Sequence, residues 1–313
     1  MEVDTKVKKI LCVIFLILIS ACKSADDTST NKFVYTYSSY ANDEFINYVE
    51  YYDENKKLIK ETQYTTTSDV SYTNYDYENK IIFQFGPGGL TKLDLNNETI
   101  NRVTNKNISD AFISERNFVY VENNGFDESM TNYLCKIYSN GKFKFSVNYM
   151  INSIVYHENK YILSNLPISG ERNFIKIYNE EGKLLNTSYF DEIGTIRKIE
   201  NSLYWATLES ITSIENGEHF EFENRIFSIY DYISKQDTFV YDTDKMICRY
   251  SNPSRESNRV FENCNGFTKN SNSVFIIKQN DTFYYFDTNK NKKKMIQGFK
   301  NSGEHIFEEV FIY

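Results

Sequence analysis

Short apolar runs separated by polar clusters recur along the chain from Phe33 to the last residue. The clearest copy lies at residues 274–296, where the runs VFII, FYYF and KMI alternate with the polar segments KQND and DTNKN. Runs of about four to eight β-branched and aromatic residues, bounded by Asn, Asp, Gly and Ser, are typical of consecutive antiparallel strands. The pattern therefore predicts an all-β fold.

A pair of such runs around a polar turn occurs seven times. The first strand of each unit is predicted to begin at Phe33, Ile81, Phe118, Tyr161, Leu203, Thr238 and Val274. The turn after each second strand begins at Asp53, Asp94, Ser139, Asn179, Glu215, Ser251 and Asp287. Both sets of positions repeat at a period of about 40 residues, which is typical of propeller blades when strands fill the whole period.

Two units show four strands each most clearly. The fifth unit predicts strands at 203–208, 211–214, 219–222 and 226–230, and the fourth predicts its last strand at 193–199. Several runs are apolar at consecutive positions, which predicts strands covered on both faces. The hairpin at residues 174–185, FIKIYNEEGKLL, resembles the middle hairpin of a β-propeller blade.

The resemblance extends over residues 33–313 as a pattern of repeats. It implies a single β-propeller, expected to have seven four-stranded blades, with six or eight as the alternatives. The dipeptide and glycine signatures of WD40, kelch and quinoprotein blades are missing from the sequence, so the resemblance implies no particular activity. The final run at residues 310–313 predicts one more strand, which either completes the seventh blade or pairs with the Phe33 strand to close the ring.

Residues 1–21 have the features of a secretory signal peptide. A lysine-rich start precedes the apolar residues 10–19, which are too few to cross a bilayer as a helix. Ile19-Ser20-Ala21-Cys22 resembles the lipobox of bacterial lipoproteins. This resemblance implies cleavage before Cys22 and a diacylglyceryl group on its sulfur, with palmitate as the expected acyl chain.

Residues 22–32 are small and polar, which predicts a flexible tether between the lipidated cysteine and a domain at 33–313. The Asp26-Asp27 pair resembles the acidic surface-export signal of lipoproteins in the Bacteroidota. Because lipidation with more than one acyl chain anchors a protein stably, we expect an extracytoplasmic protein held on a bacterial membrane, with surface exposure implied by the acidic pair.

Composition agrees with strands, because the chain contains 26 Tyr and 24 Phe but only three Pro. The formal net charge is −8, and the basic run at residues 290–294 falls in a predicted hairpin turn. We therefore interpret that run as a solvated turn and predict no nucleic-acid partner.

Three of the five cysteines lie in the predicted domain, and their spacing fits neither a zinc site nor a disulfide framework. Cys248 and Cys264 either form a disulfide across neighbouring strands of one blade or remain half-buried thiols, as Cys135 does. The three histidines His157, His219 and His305 have no partner at metal-ligand or catalytic spacing. The sequence therefore predicts no metal, no cofactor, no catalytic residues and no enzymatic activity.

Six tyrosines in the least regular part of the chain are predicted to form a binding face: Tyr37, Tyr40, Tyr64, Tyr72, Tyr75 and Tyr77. Aromatic rings anchor protein interfaces and stack on sugars. The predicted function is a membrane-anchored scaffold or receptor that binds a protein, peptide or glycan through the propeller rim. Two alternatives stay open: a hydrolase or lyase with its site in the central funnel, and an immunity or inhibitor lipoprotein.

Overall fold

The computed structural model describes residues 32–313 except 71, 115–116, 129–132, 169, 200, 208–209, 222–227, 233–237, 243–245, 253–256, 272, 281 and 297–306. The predicted signal peptide and all but the last residue of the predicted tether lie outside these residues. The described part of the chain forms seven four-stranded sheets arranged as a β-propeller, and it contains no helix. The prediction of an all-β propeller is confirmed.

The sheets are numbered in chain order. The strands of each sheet are given in chain order too, which runs from the innermost to the outermost strand in every sheet except sheet 1. Sheet 1 contains β1 (Phe33–Ala41), β2 (Glu44–Tyr52) and β3 (Leu58–Thr66), and its innermost strand is the last of the chain, β28 (Phe307–Ile312). Sheet 2 contains β4 (Tyr72–Asp76), β5 (Ile81–Gly86), β6 (Gly89–Asp94) and β7 (Thr99–Thr104). Within sheet 3 the order along the chain runs from the innermost strand outward: β8 (Ile108–Ser114), β9 (Asn117–Phe126), β10 (Tyr133–Ser139) and β11 (Lys142–Val147).

The remaining sheets repeat the arrangement. Sheet 4 contains β12 (Ile151–His157), β13 (Lys160–Asn165), β14 (Asn173–Asn179) and β15 (Leu184–Phe190). Sheet 5 contains β16 (Thr195–Ile199), β17 (Ser202–Ala206), β18 (Ser210–Ser213) and β19 (His219–Glu221). In sheet 6 the strands are β20 (Ser228–Tyr232), β21 (Thr238–Asp242), β22 (Ile247–Asn252) and β23 (Ser257–Phe261). Sheet 7 contains β24 (Cys264–Lys269), β25 (Val274–Gln279), β26 (Thr282–Asp287) and β27 (Lys292–Ile296).

The innermost strands are β28 in sheet 1 and the first strand of each other sheet. Contacts from sheet to sheet join β4 with β8, β8 with β12, β12 with β16, and β24 with β28. The seven predicted first strands are therefore second strands, from Phe33 on β1 to Val274 on β25. The strands predicted last in the fourth and fifth units, at 193–199 and 226–230, instead start sheets 5 and 6. The sequence period sets the spacing of the strands, but a repeating pattern does not say at which strand each sheet begins.

The ring is closed by the two ends of the described chain. Strand β28 pairs antiparallel with β1, from Phe33 opposite Ile312 to Ser38 opposite Phe307. The backbone N–H of Tyr313 donates a hydrogen bond of 3.1 Å to the carbonyl oxygen of Lys32. Of the two predicted roles for the final strand, pairing with the Phe33 strand is the one observed.

The hydrophobic core lies between neighbouring sheets and covers the inner strands on both faces, whereas outermost strands such as β3, β7 and β27 are largely exposed. Strand β26 shows this arrangement residue by residue. Phe283 and Tyr285 pack toward sheet 1, whereas Tyr284 and Phe286 pack toward sheet 6. The consecutive apolar positions that predicted strands covered on both faces are explained by this packing.

A disulfide links Cys248 on β22 to Cys264 on β24, with a Cα–Cα distance of 5.6 Å. It joins sheet 6 to sheet 7 instead of linking neighbouring strands of one blade, so the predicted placement within one blade is wrong. The alternative of two free thiols is wrong as well, whereas Cys135 is a buried free thiol. The pairing was one of the two predicted alternatives, but its placement was wrong because each cysteine faces the seam between two sheets, and strand order along the chain does not show which residues meet there.

Candidate binding site

The six tyrosines predicted as a binding face do not share one exposed surface. Only Tyr40 and Tyr72 are strongly exposed, at 55% and 60% of their surface. Tyr64 and Tyr75 pack between sheets 1 and 2, and Tyr37 packs on the opposite face of sheet 1, toward sheet 7. Tyr77 is half-buried. Alternate residues of a strand point to opposite faces, so neighbouring tyrosines enter different seams of the ring.

The three half-buried tyrosines at positions 37, 64 and 75 use their hydroxyl groups in structural hydrogen bonds. Tyr64 donates to Oε1 of Gln84 at 2.8 Å, and Tyr75 donates to the carbonyl oxygen of Ile312 at 2.5 Å. Tyr37 donates to Oε1 of Glu50 at 3.1 Å. These rings and hydroxyls hold sheets together, which is a structural role different from the predicted binding role.

Polar side chains of the innermost strands tie neighbouring sheets to one another around the axis. Nδ2 of Asn74 donates to the carbonyl oxygen of Ala111 at 2.5 Å, and Nδ2 of Asn152 donates to that of Gly194 at 2.8 Å. Oδ2 of Asp110 accepts a hydrogen bond of 2.7 Å from the backbone N–H of Ile154. Each contact crosses from one sheet to the next.

Asp110, on β8, is a titratable group of the innermost strands with a raised pKa. Burial raises the pKa of its carboxyl group to about 6, while the Ile154 amide and the charge of Arg197 act in the opposite direction. Within the described residues, no group of three or more His, Cys, Asp or Glu side chains is arranged to hold a metal ion. His305 lies outside those residues. Nε2 of His157 lies 4.0 Å from Oε1 of Glu158, and Nε2 of His219 lies 3.7 Å from Oε1 of Glu221.

An open cleft of about 590 Å³ lies between the outer parts of sheets 6 and 7. We call it the basic cleft and define it by six of its lining residues: Arg259, Glu262, Gln279, Asn291, Lys292 and Lys293. Strand β23 supplies one wall, and β27 with the turn before it supplies the other. The cleft is therefore built from the outermost strands of two neighbouring sheets.

Hydrogen bonds fix the positions of the charged groups in the basic cleft. Nε of Arg259 donates to Oδ1 of Asn291 at 2.9 Å, which connects the two walls. Nζ of Lys293 donates to Oε1 of Gln279 and lies 3.7 Å from the centroid of the Tyr284 ring. The side chain of Gln279 in turn donates to the carbonyl oxygen of Glu262 at 2.5 Å. Side chains held in this way lose little further freedom when a ligand binds.

The electrostatics of the basic cleft contrast with those of the whole chain. Three cationic side chains and one carboxylate line the cleft, although the chain carries a formal net charge of −8. On the opposite face of β27, Lys294 lies near Lys56 of sheet 1, and burial together with the charge of Lys294 lowers the pKa of Lys56. The excess of cationic side chains in the cleft attracts an anionic partner.

The sequence analysis identified one basic segment of the cleft but did not predict the cleft. The sequence predicts a solvated turn for the basic run at residues 290–294, but β27 begins at Lys292, and Lys292 and Lys293 line the cleft. Arg259 lies on the preceding outermost strand, more than 30 residues earlier in the sequence. Basic residues on two consecutive outermost strands are the signal that could have identified the cleft.

No protein-family profile matches the chain, and no curated protein sequence matches it significantly. Among solved structures, PorZ, a surface component of the type-IX secretion system of Porphyromonas gingivalis, matches with a TM-score of 0.52 and 8% identity, covering 87% of this chain and 39% of that chain. The AfRom2 CNH domain matches with a TM-score of 0.48 and 8% identity. This match covers 86% of this chain and 96% of the CNH domain chain. An extracellular domain from B. thetaiotaomicron matches with a TM-score of 0.43 and 13% identity. This match covers 73% of this chain and 33% of that chain. At these identities the likeness to PorZ supports the β-propeller fold alone.

Proposed function

We propose that this protein is a lipid-anchored, extracytoplasmic β-propeller of seven blades that binds an acidic, extended segment of a partner protein. Each four-stranded sheet would be one blade, and Cys22 would carry the lipid. The observation that carries the proposal is the basic cleft between β23 and β27. We assign the protein a binding role without catalysis.

The location of the cleft favours an extended peptide as the ligand. Strands β23 and β27 are outermost in their sheets, so each has a backbone edge directed away from the sheet. An extended peptide can add to such an edge through main-chain hydrogen bonds. Val260 on β23 is 59% exposed and offers an apolar contact beside the cationic groups.

The aromatic residues of the cleft favour a peptide over a glycan. Phe261 and Phe286 are buried beneath it, so neither presents an open ring face on which a sugar could stack. Lysines on an outermost strand also hinder edge-to-edge pairing between like copies of a protein. An acidic peptide would neutralise those charges and remove this obstacle.

Poly-L-glutamate is a suitable probe for the basic cleft. We expect replacement of both Arg259 and Lys293 by glutamine to weaken its binding about tenfold, because two charge contacts are lost. The control variant replaces Lys142 and Lys144 by glutamine on β11, the outermost strand of sheet 3. It removes the same charge and should leave the affinity within about twofold of the wild-type value. Fluorescence anisotropy of a labelled probe measures both values.

Equal losses in the two double variants would show that net charge, and not the cleft, binds the probe. Tighter binding of an acidic polysaccharide such as polygalacturonate would contradict the assignment of a peptide ligand. Since the interaction is charged and partly exposed, the expected affinity also falls as salt is added.

Lipid anchoring is tested separately, in cells that process bacterial lipoproteins. We expect Cys22→Ser to move the protein from the detergent phase to the aqueous phase and to abolish labelling by a palmitate analogue. Cys12→Ser changes a cysteine of the predicted signal peptide and should leave both properties unchanged. Labelling that persists in Cys22→Ser would disprove the proposed anchor.

A further inference from the structure

Two adjacent glutamates on β28 face opposite seams of the ring. Glu308 is directed toward sheet 7, where Nζ of Lys278 donates to its Oε1 and the hydroxyl of Tyr35 donates to its Oε2 at 2.5 Å. Glu309 is directed toward sheet 2, because Phe311, two residues away, belongs to the core between sheets 1 and 2. Glu308 therefore has a cationic partner at the closure of the ring.

Glu309 has no comparable partner among the residues that the structure describes. Its Oε2 is buried without a hydrogen-bond donor. Burial raises the pKa of its carboxyl group to about 7, and the nearby hydroxyl of Thr73 acts in the opposite direction. A desolvated carboxylate without a cation is costly, so this group calls for a positive charge or a proton.

Other oxygen atoms gather around Glu309 in the same seam. Thr36 on β1 lies directly opposite Glu309 in the pairing of β1 with β28, and Thr73 is contributed by β4. The hydroxyl oxygens of both threonines are buried, and neither has a hydrogen-bond partner within the described chain. Gln84 lies opposite Thr73, and its Oε1 already accepts from Tyr64. One carboxylate and three neutral oxygens thus face the same seam from sheets 1 and 2.

We propose that this seam binds a monovalent alkali cation, Na⁺ or K⁺, through Glu309, Thr36, Thr73 and Gln84. Oxygen donors of this kind suit hard cations. A single carboxylate balances one positive charge, whereas Ca²⁺ sites draw on several carboxylates and Mg²⁺ retains several waters. The site joins β1, β28 and sheet 2, so the bound cation stabilises the closure of the ring.

Thermal unfolding of the purified protein in chloride salts at equal ionic strength tests the proposal. Unfolding is followed by the fluorescence of Trp205, the single tryptophan, at a pH above the pKa of Glu309. We expect the unfolding temperature to be about 5 °C higher in sodium or potassium chloride than in choline chloride. The difference should saturate as the alkali cation is titrated into choline chloride.

Three variants connect the effect to the seam. Glu309→Gln keeps the size of the side chain and should abolish the difference between the salts, and Thr73→Val should reduce it. Glu61→Gln, on the exposed outermost strand of the same sheet, should retain the full difference. Identical unfolding temperatures of the wild type in all three salts, or a full difference in Glu309→Gln, would overturn the proposal. An unfolding temperature that rises only in calcium chloride would overturn the assignment of a monovalent ion.

Discussion

Replacing Phe311 by alanine is expected to lower the free energy of unfolding by about 3 to 5 kcal/mol. Phe311 is fully buried between sheets 1 and 2, where its ring lies edge-on to Tyr75 with the centroids 5.1 Å apart. It is carried by β28, the strand that joins the end of the chain to β1. The cavity left by the smaller side chain would therefore loosen the closure of the ring as well as the local core.

Urea unfolding followed by Trp205 fluorescence measures this loss, because Trp205 lies in sheet 5, away from the mutated seam. Phe143→Ala is the matched control, since the same substitution on β11 removes a ring that is 53% exposed. We expect that control to cost less than about 1 kcal/mol. Similar losses in the two variants would show that β28 is not packed into the ring as described.

Replacing both Cys248 and Cys264 by alanine removes the disulfide and is expected to lower the free energy of unfolding by about 3 kcal/mol. The bond closes a loop with a sequence separation of 16 residues, and this loop contains β23 and the crossing from sheet 6 to sheet 7. Without the bond, the unfolded chain gains freedom and the seam loses a covalent link. The same urea titration measures the change.

A reductant provides the internal control for this prediction. It should lower the stability of the wild type toward that of the double alanine variant and should leave the double variant unchanged. Thiol titration must show that the bond has been reduced, with the buried Cys135 accounted for under denaturing conditions. A fully reduced wild type with unchanged stability would contradict a stabilising role for the link between sheets 6 and 7.

Much of the fold follows from local patterns in the sequence. Polar clusters mark the strand ends, and runs such as 283–286, apolar at every position, indicate burial on both faces. The strand at the end of the chain was predicted as well, with its pairing to the Phe33 strand as one of two options. What the repeats do not determine is the strand at which each sheet starts, because every strand is followed by a similar polar turn.

The site residues were harder to predict because they meet across seams. Arg259 and Lys293 lie on different sheets, and so do Cys248 and Cys264. The alternation within β4 also places Tyr72, which is exposed, and Tyr75, which packs between sheets 1 and 2, on opposite faces of the strand. A single sequence shows which residues are adjacent along a strand, whereas the cleft and the disulfide depend on which faces of two sheets come together.

The central claim of a peptide-binding cleft is tested most directly by hydrogen–deuterium exchange of the protein with and without poly-L-glutamate. If the probe adds to the edges of β23 and β27, amide exchange should slow in residues 257–261 and 292–296. Exchange in β11, an outermost strand on another part of the ring, should remain unchanged. Protection confined to the innermost strands or to the region of Tyr40 and Tyr72, or no protection at all, would contradict the account.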